Sequence, residues 1–201
     1  MSNIVKRLMD IIISLAGLVV LSPVFAFAAL LIRSDSEGPI FFKQERIGRN
    51  FRPFMIYKFR TMRAGAEKEG ALITVGSDAR ITRTGRLLRR YKIDELPQLL
   101  NVLKGEMSLV GPRPEVREYV ELFRSEYGKL LGVRPGITDP SSLRYSDEER
   151  LLASAADWRE DYTGRILPQK IALSMRYVEQ HGVLTDFRLI LQTILKIAGI
   201  R

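Results

Sequence analysis

The sequence predicts an α+β fold, mainly helical, with short strands and a kinked N-terminal helix that enters a membrane. Three observations carry that reading. Ile11–Ile32 runs for 22 residues without a charge. The segments Ile40–Gln44 and Phe54–Phe59 are short, apolar and aromatic, as half-buried strands are. From Ile81 onward apolar side chains recur at helical spacing.

A straight helix over the 22 uncharged residues would be about 33 Å long, enough to cross a bilayer core. A core helix that is apolar on every face would be unusual, and the run is too long for a signal peptide. Ser22-Pro23 lies at its centre. Pro removes a backbone donor there and clashes with the preceding turn, so the helix should kink, with the Ser22 hydroxyl available to the freed carbonyl. Lys6 and Arg7 precede the run, and Arg33, Lys43, Arg46, Arg49 and Arg52 follow it. Positive flanks at both ends favour the same side of the membrane for each. Two arms of about 16 Å would then dip to the midplane and return. Kinked helices also span, and the residues alone leave both topologies open.

Glu37-Gly38-Pro39 is a turn, followed by the two strands with the stretch Gly48–Pro53 between them. Residues 64–79 are small and polar and should form a loop. Gly65 and Gly70 have phosphate-loop spacing, but Ala71-Leu72 stands where Lys and Ser/Thr are required. Asp94-Glu95 opens an apolar helix over Leu96–Leu103, with Asp94 a natural N-cap and Gly105 its stop. Met107–Pro114 reads as a rigid loop. Helices are expected at about 115–130, 146–156 and 168–180, and a last one over Asp186–Ala198. That helix aligns Phe187, Ile190, Leu191, Ile194, Leu195 and Ala198, a face suited to the core or to a membrane interface.

Composition narrows the chemistry. The 201 residues include no Cys and a single His, His181. Disulfides, thiolate nucleophiles and cysteine metal sites are excluded, and no G-x-S-x-G elbow offers His181 a partner. Catalysis must use carboxylates, Lys, Arg, hydroxyls or a hard metal ion. The net charge of +9 is local: residues 33–113 hold 17 basic and 9 acidic side chains, whereas 114–201 hold 13 of each. Such a surface suits phosphates, although a merely solubilising face would look the same. No nucleic-acid module matches the clusters.

Within residues 80–95, RITRTGRLLRRYKIDE, six cations precede two adjacent carboxylates. The plain reading of Asp94 is a helix cap, with Glu95 complementing the dipole. The chemical reading is a carboxylate that ligates Mg²⁺ or attacks phosphorus while arginines neutralise phosphoryl oxygens. Lys58 and Arg60 fall on one face of a strand, and Arg113 and Arg134 sit in Pro-restricted turns that suit phosphate binding.

These residues resemble a known family. Ser22-Pro23 in the apolar run, Tyr57-Lys58-Phe59-Arg60-Thr61-Met62, Asp94-Glu95-Leu96-Pro97-Gln98-Leu99, Gly111-Pro112-Arg113-Pro114 and Arg134-Pro135-Gly136-Ile137-Thr138 occur in the order found in bacterial sugar transferases. The match is to the small monotopic phosphoglycosyl transferases of PglC type and covers nearly the whole chain. Lys6-Arg7-x-x-Asp10 resembles the family's start.

The resemblance implies a re-entrant membrane helix over 1–35 and a cytoplasmic catalytic domain over 36–201 with amphipathic interfacial helices, at the inner (cytoplasmic) membrane. It implies transfer of a sugar-1-phosphate from a UDP-sugar to a polyprenyl phosphate, undecaprenyl phosphate being expected, with release of UMP. That step initiates assembly of a membrane glycoconjugate. Asp94 is then the nucleophile of a covalent phosphosugar intermediate and helps hold Mg²⁺. Glu95 completes the dyad, by positioning the metal or handling the acceptor's proton. Lys58, Arg89 and Arg113 are the expected phosphate contacts, and Arg134 a nucleotide contact. Asp139-Pro140-Ser141-Ser142 departs from the Gly, small residue and Gln that many members carry after Pro-Gly-Ile-Thr, so sugar-specificity rules do not transfer across it. The chain resembles the minimal catalytic form, without the extra N-terminal membrane helices of larger members. Two other readings use the same residues: a membrane-anchored basic protein binding anionic lipid or nucleic acid, and an enzyme that transfers only the sugar and releases UDP.

Overall fold

In the computed structural model, which describes residues 3–66 and 78–199, two helices account for the apolar run. Helix α1 covers Asn3–Val20 and α2 covers Ser22–Asp35. They meet at 59°. The break has the expected cause. Pro23 has no N–H to give to Val19, and the Ser22 hydroxyl donates to the Val19 carbonyl instead, at 2.8 Å. Neither helix alone is long and apolar enough to cross a membrane. Ile12, Leu15, Val19, Val20, Phe27 and Leu30 are exposed along the pair, an apolar surface left uncovered among the described residues.

Both ends of this bent pair are fastened to the same body. At the start of α1, Lys6 donates to the Val110 carbonyl at 3.0 Å and pairs with Asp186. Arg7 caps the carbonyls of Val102 and Leu103 at 2.7 and 2.9 Å. Asp10, buried, accepts from the Ser108 hydroxyl and the Leu109 amide. At the end of α2, Asp35 accepts from the Thr84 amide at 2.7 Å, and Arg60 holds the carbonyls of Ser36 and Glu37. Lys6-Arg7-x-x-Asp10 is therefore a docking device that satisfies buried polar groups from another part of the chain.

Strands β1 (Phe41–Ile47) and β2 (Pro53–Phe59) form an antiparallel hairpin, with Phe41 opposite Phe59 and Ile47 opposite Pro53. Both are longer at the tip than expected, because the turn is confined to residues 48–52. Helix α3 (Arg83–Arg90) starts on a Thr82 cap, whose hydroxyl accepts from the Gly85 amide at 2.9 Å. Gly85 is required there: a Cβ would lie 2.0 Å from the Thr61 carbonyl oxygen. Much of the loop expected over 64–79 falls at residues 67–77, outside the described residues.

Helix α4 covers Gln98–Lys104 and ends at Gly105 with φ +84°, the left-handed stop the sequence foretells. The N-cap reading of Asp94 is corrected. Lys92 adopts φ +54°, Ile93–Glu95 form one 3₁₀ turn, and Pro97 occupies the cap position of α4. Asp94 lies inside this turn and caps nothing.

Strands β3 (Ser108–Val110) and β4 (Gly136–Thr138) pair in parallel, a sheet the sequence reading missed. The predicted helix at 115–130 is two: α5 (Arg117–Leu122) and α6 (Arg124–Leu130). Short helices α7 (Pro140–Arg144), α8 (Glu148–Ala153) and α9 (Trp158–Asp161) lead through a π-helical turn at Tyr162–Ile166 into α10 (Leu167–Gln180). Helix α11 (Val183–Ile197) follows. It buries Leu189 and leaves Leu184, Phe187, Leu191 and Ile194 exposed. Among the described residues, three apolar clusters hold the fold. One lies among α5, α6, α8 and α10, a second joins α4, β3 and α11 to α1, and a third seats α2 on Phe59 and Leu88.

Candidate active site

The 3₁₀ turn that carries Asp94 and Glu95 connects α3 to α4. Ile93 packs against the cluster under α2, anchoring the turn from below. Asp94 is 6% exposed, and its Oδ1 is buried without a hydrogen-bond partner among the described residues. Burial raises its pKa above the ordinary value, with the neighbouring Glu95 charge adding to the rise and the Lys58 ammonium opposing it. Leaving a carboxylate oxygen buried and unpaired is costly, and protein surroundings that do so are characteristic of functional positions.

Glu95 is in the opposite condition. Lys58 donates to its Oε1 at 3.2 Å, and Arg113 grips both oxygens, with Nη1 to Oε2 at 3.0 Å and Nη2 on Oε1. Burial works against ionisation here, but Arg113 and Lys58 overcome it and hold the carboxyl well below the usual range. Lys58 in turn is lowered by burial, an effect that Glu95 offsets in part. Arg113 is raised by Glu95. Two adjacent carboxylates thus acquire different characters from their surroundings, Asp94 with a free oxygen and Glu95 locked as an anion.

Each cation reaches this place by a separate route. Lys58 comes from β2, where Asn101 braces the strand: its Oδ1 accepts from the Tyr57 amide at 3.0 Å and its Nδ2 donates to the Met55 carbonyl at 2.8 Å. Arg60 comes from just beyond β2 but serves the end of α2, so the two strand cations divide their work. Arg113 follows β3. Its loop is fixed where Gly111 and Gly136 meet backbone to backbone, and a Cβ on Gly136 would fall 2.1 Å from the Gly111 nitrogen. Arg89, in the last turn of α3, donates to the Thr61 hydroxyl at 3.0 Å and pairs with Glu149 at 2.9 Å, and its charge acts on Asp94.

Lys58, Arg89, Asp94, Glu95 and Arg113 are therefore brought together. Arg134 is not among them: its Nε donates to the Gly105 carbonyl at 2.8 Å, closing the C-terminus of α4. Behind Arg113 lies a buried group that sequence reasoning missed. Glu115 accepts from Tyr162 at 3.0 Å and from Lys170 at 3.2 Å, with Arg46 at 3.5 Å, and Lys170 also pairs with Glu148 at 2.8 Å. Asp139, fully buried, accepts from the hydroxyls of Ser141 and Ser142 and from Ser174, and caps α7. The Asp-Pro pair at a helix start was the signal for that cap.

Among the described residues no three His, Asp or Glu side chains converge as a metal cage. Mg²⁺ does not need one, since it is commonly held by one or two carboxylates and completes its shell with water and substrate phosphates. The unpartnered Asp94 Oδ1 fits that requirement, whereas Glu95 is occupied by Arg113 and Lys58.

Comparison with known proteins identifies the family. The family model described as bacterial sugar transferase matches residues 1–199. The chain is 46% identical over 137 residues to the UDP-N-acetylgalactosamine-undecaprenyl-phosphate N-acetylgalactosaminephosphotransferase of Aeromonas hydrophila, covering 67% of this chain and 32% of that one. It is 41% identical to the exopolysaccharide production protein PSS of Rhizobium leguminosarum bv. phaseoli, across 96% of this chain and 95% of the relative. Identity to the UDP-glucose:undecaprenyl-phosphate glucose-1-phosphate transferase of Caulobacter vibrioides is 34%, across 94% and 68%.

Proposed function

The chain belongs to the bacterial sugar transferase family, and from that premise we propose that it transfers a sugar-1-phosphate from a UDP-sugar to undecaprenyl phosphate and releases UMP. The reaction would begin assembly of a membrane glycoconjugate. The observation that carries this reading is the unequal pair: a buried aspartate with an unpartnered oxygen beside a glutamate held by two cations. The substrates named for the Aeromonas and Caulobacter relatives support the donor and acceptor classes, and their sugars differ from each other.

In the first step an Asp94 carboxylate oxygen attacks the sugar-bearing phosphorus of the donor. A P–O bond forms to Asp94, the P–O bond to UMP breaks, and UMP leaves with the electron pair. In the second step an anionic phosphate oxygen of the lipid attacks the same phosphorus, releasing Asp94 as carboxylate and forming a diphosphate-linked lipid sugar. The attacking phosphate is already ionised, so no general base is needed. Glu95 fits a positioning role, as the counter-charge that aims Arg113 and Lys58 at phosphoryl oxygens. Arg89 supplies further positive charge near Asp94. Asp94 would hold Mg²⁺ together with substrate phosphates, and the ion when bound would neutralise charge on the donor's diphosphate and on the departing UMP.

Re-entry of α1 and α2 completes the proposal. The Lys6, Arg7 and Asp10 bonds at one end and the Asp35 bond at the other tie both ends to one body, which supports a dip and return. Basic flanks support a position for that body on the cytoplasmic side of the inner membrane, where a soluble donor and a lipid phosphate would meet. The test is to give the purified chain, in lipid nanodiscs, Mg²⁺, undecaprenyl phosphate and a panel of UDP-sugars. UMP release that requires the acceptor supports the reading; UDP in its place overturns it.

A further inference from the structure

Two adjacent carboxylates in the first turn of α8 are held in different ways. Glu148 pairs with Lys170 at 2.8 Å, and Lys170 is anchored in turn by Glu115 at 3.2 Å, a group of largely buried side chains. Glu149 pairs with Arg89 Nη1 at 2.9 Å and its side chain is 49% exposed. Among the described residues its carboxylate has no other hydrogen bond or ion pair. Glu148 therefore belongs to the packing of α8, whereas an ion pair as open as that of Glu149 adds little to stability.

The guanidinium that Glu149 holds belongs to the candidate site. Arg89 Nε donates to the hydroxyl of the buried Thr61 at 3.0 Å, so one edge of the guanidinium is fixed and Nη1 is presented to Glu149. The Arg89 charge reaches Asp94, whose Oδ1 is buried and unpartnered. A cation beside a free carboxylate oxygen tends to pair with it unless another anion engages the cation first. Glu149 is such an anion, and Asp94 keeps its oxygen free. A carboxylate oxygen and a phosphoryl oxygen take the same charge-assisted bond from a guanidinium, so the two compete for one Nη group. A diphosphate arriving at Arg89 also meets the Glu149 charge, which repels it.

We propose that Glu149 is an internal counter-ion for Arg89, one that a phosphate oxygen of the donor displaces into solvent. The inference rests on the transferase reading, in which Arg89 meets the donor's diphosphate, and adds to it a contact that works against donor binding. Release costs little because the side chain is already half exposed. Helix α8 keeps its place meanwhile through Glu148 and the buried Leu152. Arg89 is then engaged both before and after the donor arrives, and Asp94 stays free to attack.

The experiment measures UDP binding rather than turnover, by calorimetry on the full chain in nanodiscs at fixed Mg²⁺ and ionic strength. Glu149→Gln should bind UDP about 2- to 5-fold more tightly than the wild type, the factor that loss of a competing exposed ion pair can supply. Glu121→Gln removes the same charge from the surface of α5, where Glu121 pairs with Arg124, and should leave UDP affinity unchanged. Arg89→Gln should weaken UDP binding, and adding Glu149→Gln to it should bring little further change. Weaker UDP binding in Glu149→Gln overturns the inference, by showing that Glu149 aims Arg89 at the substrate. Unchanged affinity overturns it as well, since no competition then exists. An equal gain in Glu121→Gln, or a gain that persists in full without Arg89, reduces the effect to net charge and also overturns it. Each of these results leaves the transferase reading standing, whereas a wild type that binds no UDP fails both.

Discussion

Removing the Arg113 guanidinium tests the architecture of the site. In Arg113→Met the aliphatic stem remains, while both hydrogen bonds to Glu95 and the longer one to the Ile137 carbonyl, at 3.4 Å, are lost. The pair is largely shielded, with side-chain exposures of 28% and 14%. Hydrogen bonds to charged groups contribute about 1.5–3 kcal/mol each, which bounds the loss at about 3–6 kcal/mol. Lys58 keeps its hold on Glu95 Oε1 at 3.2 Å, so a net cost of about 2–3 kcal/mol is expected, in line with leaving a partly shielded carboxylate half-paired. For a chain of this size that lowers the melting temperature by about 4–12 °C. The assay is a double-mutant cycle with Glu95→Gln, in which the neutral carboxamide no longer needs the cation. The doubly substituted protein should then lose much less than the sum of the two single losses. Additivity within about 0.5 kcal/mol, the behaviour of residues that do not interact, would refute the pairing and with it the positioning role of Glu95.

Other consequences follow from the same geometry. Asp94→Asn should abolish turnover, leave membrane association intact and raise the melting temperature at neutral pH. The sign follows from its raised pKa: the folded protein holds the Asp94 proton to a higher pH than the unfolded chain, so ionisation destabilises the fold as pH rises through that window. Melting curves of the two proteins should converge in acid, and a variant that stays less stable at every pH contradicts the burial argument. Wild-type turnover should fall on the acid side at a pH above the ordinary aspartate value near 4, as Asp94 becomes protonated. Gly136→Ala would force a Cβ against the Gly111 backbone, opening the β3–β4 pair at a cost of about 1–3 kcal/mol. Its kcat should fall with its stability because the Arg113 loop is anchored there; unchanged kinetics would show that the loop is placed by other contacts. Pro23→Ala restores a donor to the Val19 carbonyl and should straighten the 59° bend. Accessibility labelling at residue 4 should then differ from wild type, and identical labelling would remove the proline from the account of the bend.

What the sequence disclosed depended on how local the cause was. The break at Ser22-Pro23 was legible because a missing N–H and a nearby hydroxyl are facts about three adjacent residues. The stop at Gly105 is of the same kind. Asp94 was read as a cap because Asp before an apolar helix usually is one; the left-handed Lys92 and the 3₁₀ turn it starts have no marker in composition. Lys58 and Arg113 were selected as phosphate-binding cations, yet their joint hold on Glu95 spans 37 and 18 residues and is set by the hairpin and by the Gly111–Gly136 contact. Arg134 carried the same Pro-bounded signature as Arg113 and was turned to the end of α4. The Glu115–Lys170 pair, 55 residues apart, follows no periodicity, and β3–β4 is too short for strand alternation to register. Local chemistry announced the candidate residues, and tertiary contacts assigned each its duty.

The central claim is that Asp94 becomes covalently bound to the sugar phosphate. The measurement is intact-mass spectrometry of the wild-type chain incubated with Mg²⁺ and the UDP-sugar that supports turnover, with no lipid acceptor present, and UMP quantified in the same sample. The account predicts a sugar-phosphate adduct on the peptide containing Asp94, up to one UMP released per chain, loss of the adduct when undecaprenyl phosphate is added, and no adduct in Asp94→Asn. Full turnover with acceptor, together with no adduct on Asp94 and no UMP until the acceptor is supplied, would contradict it and point to direct transfer between the two substrates.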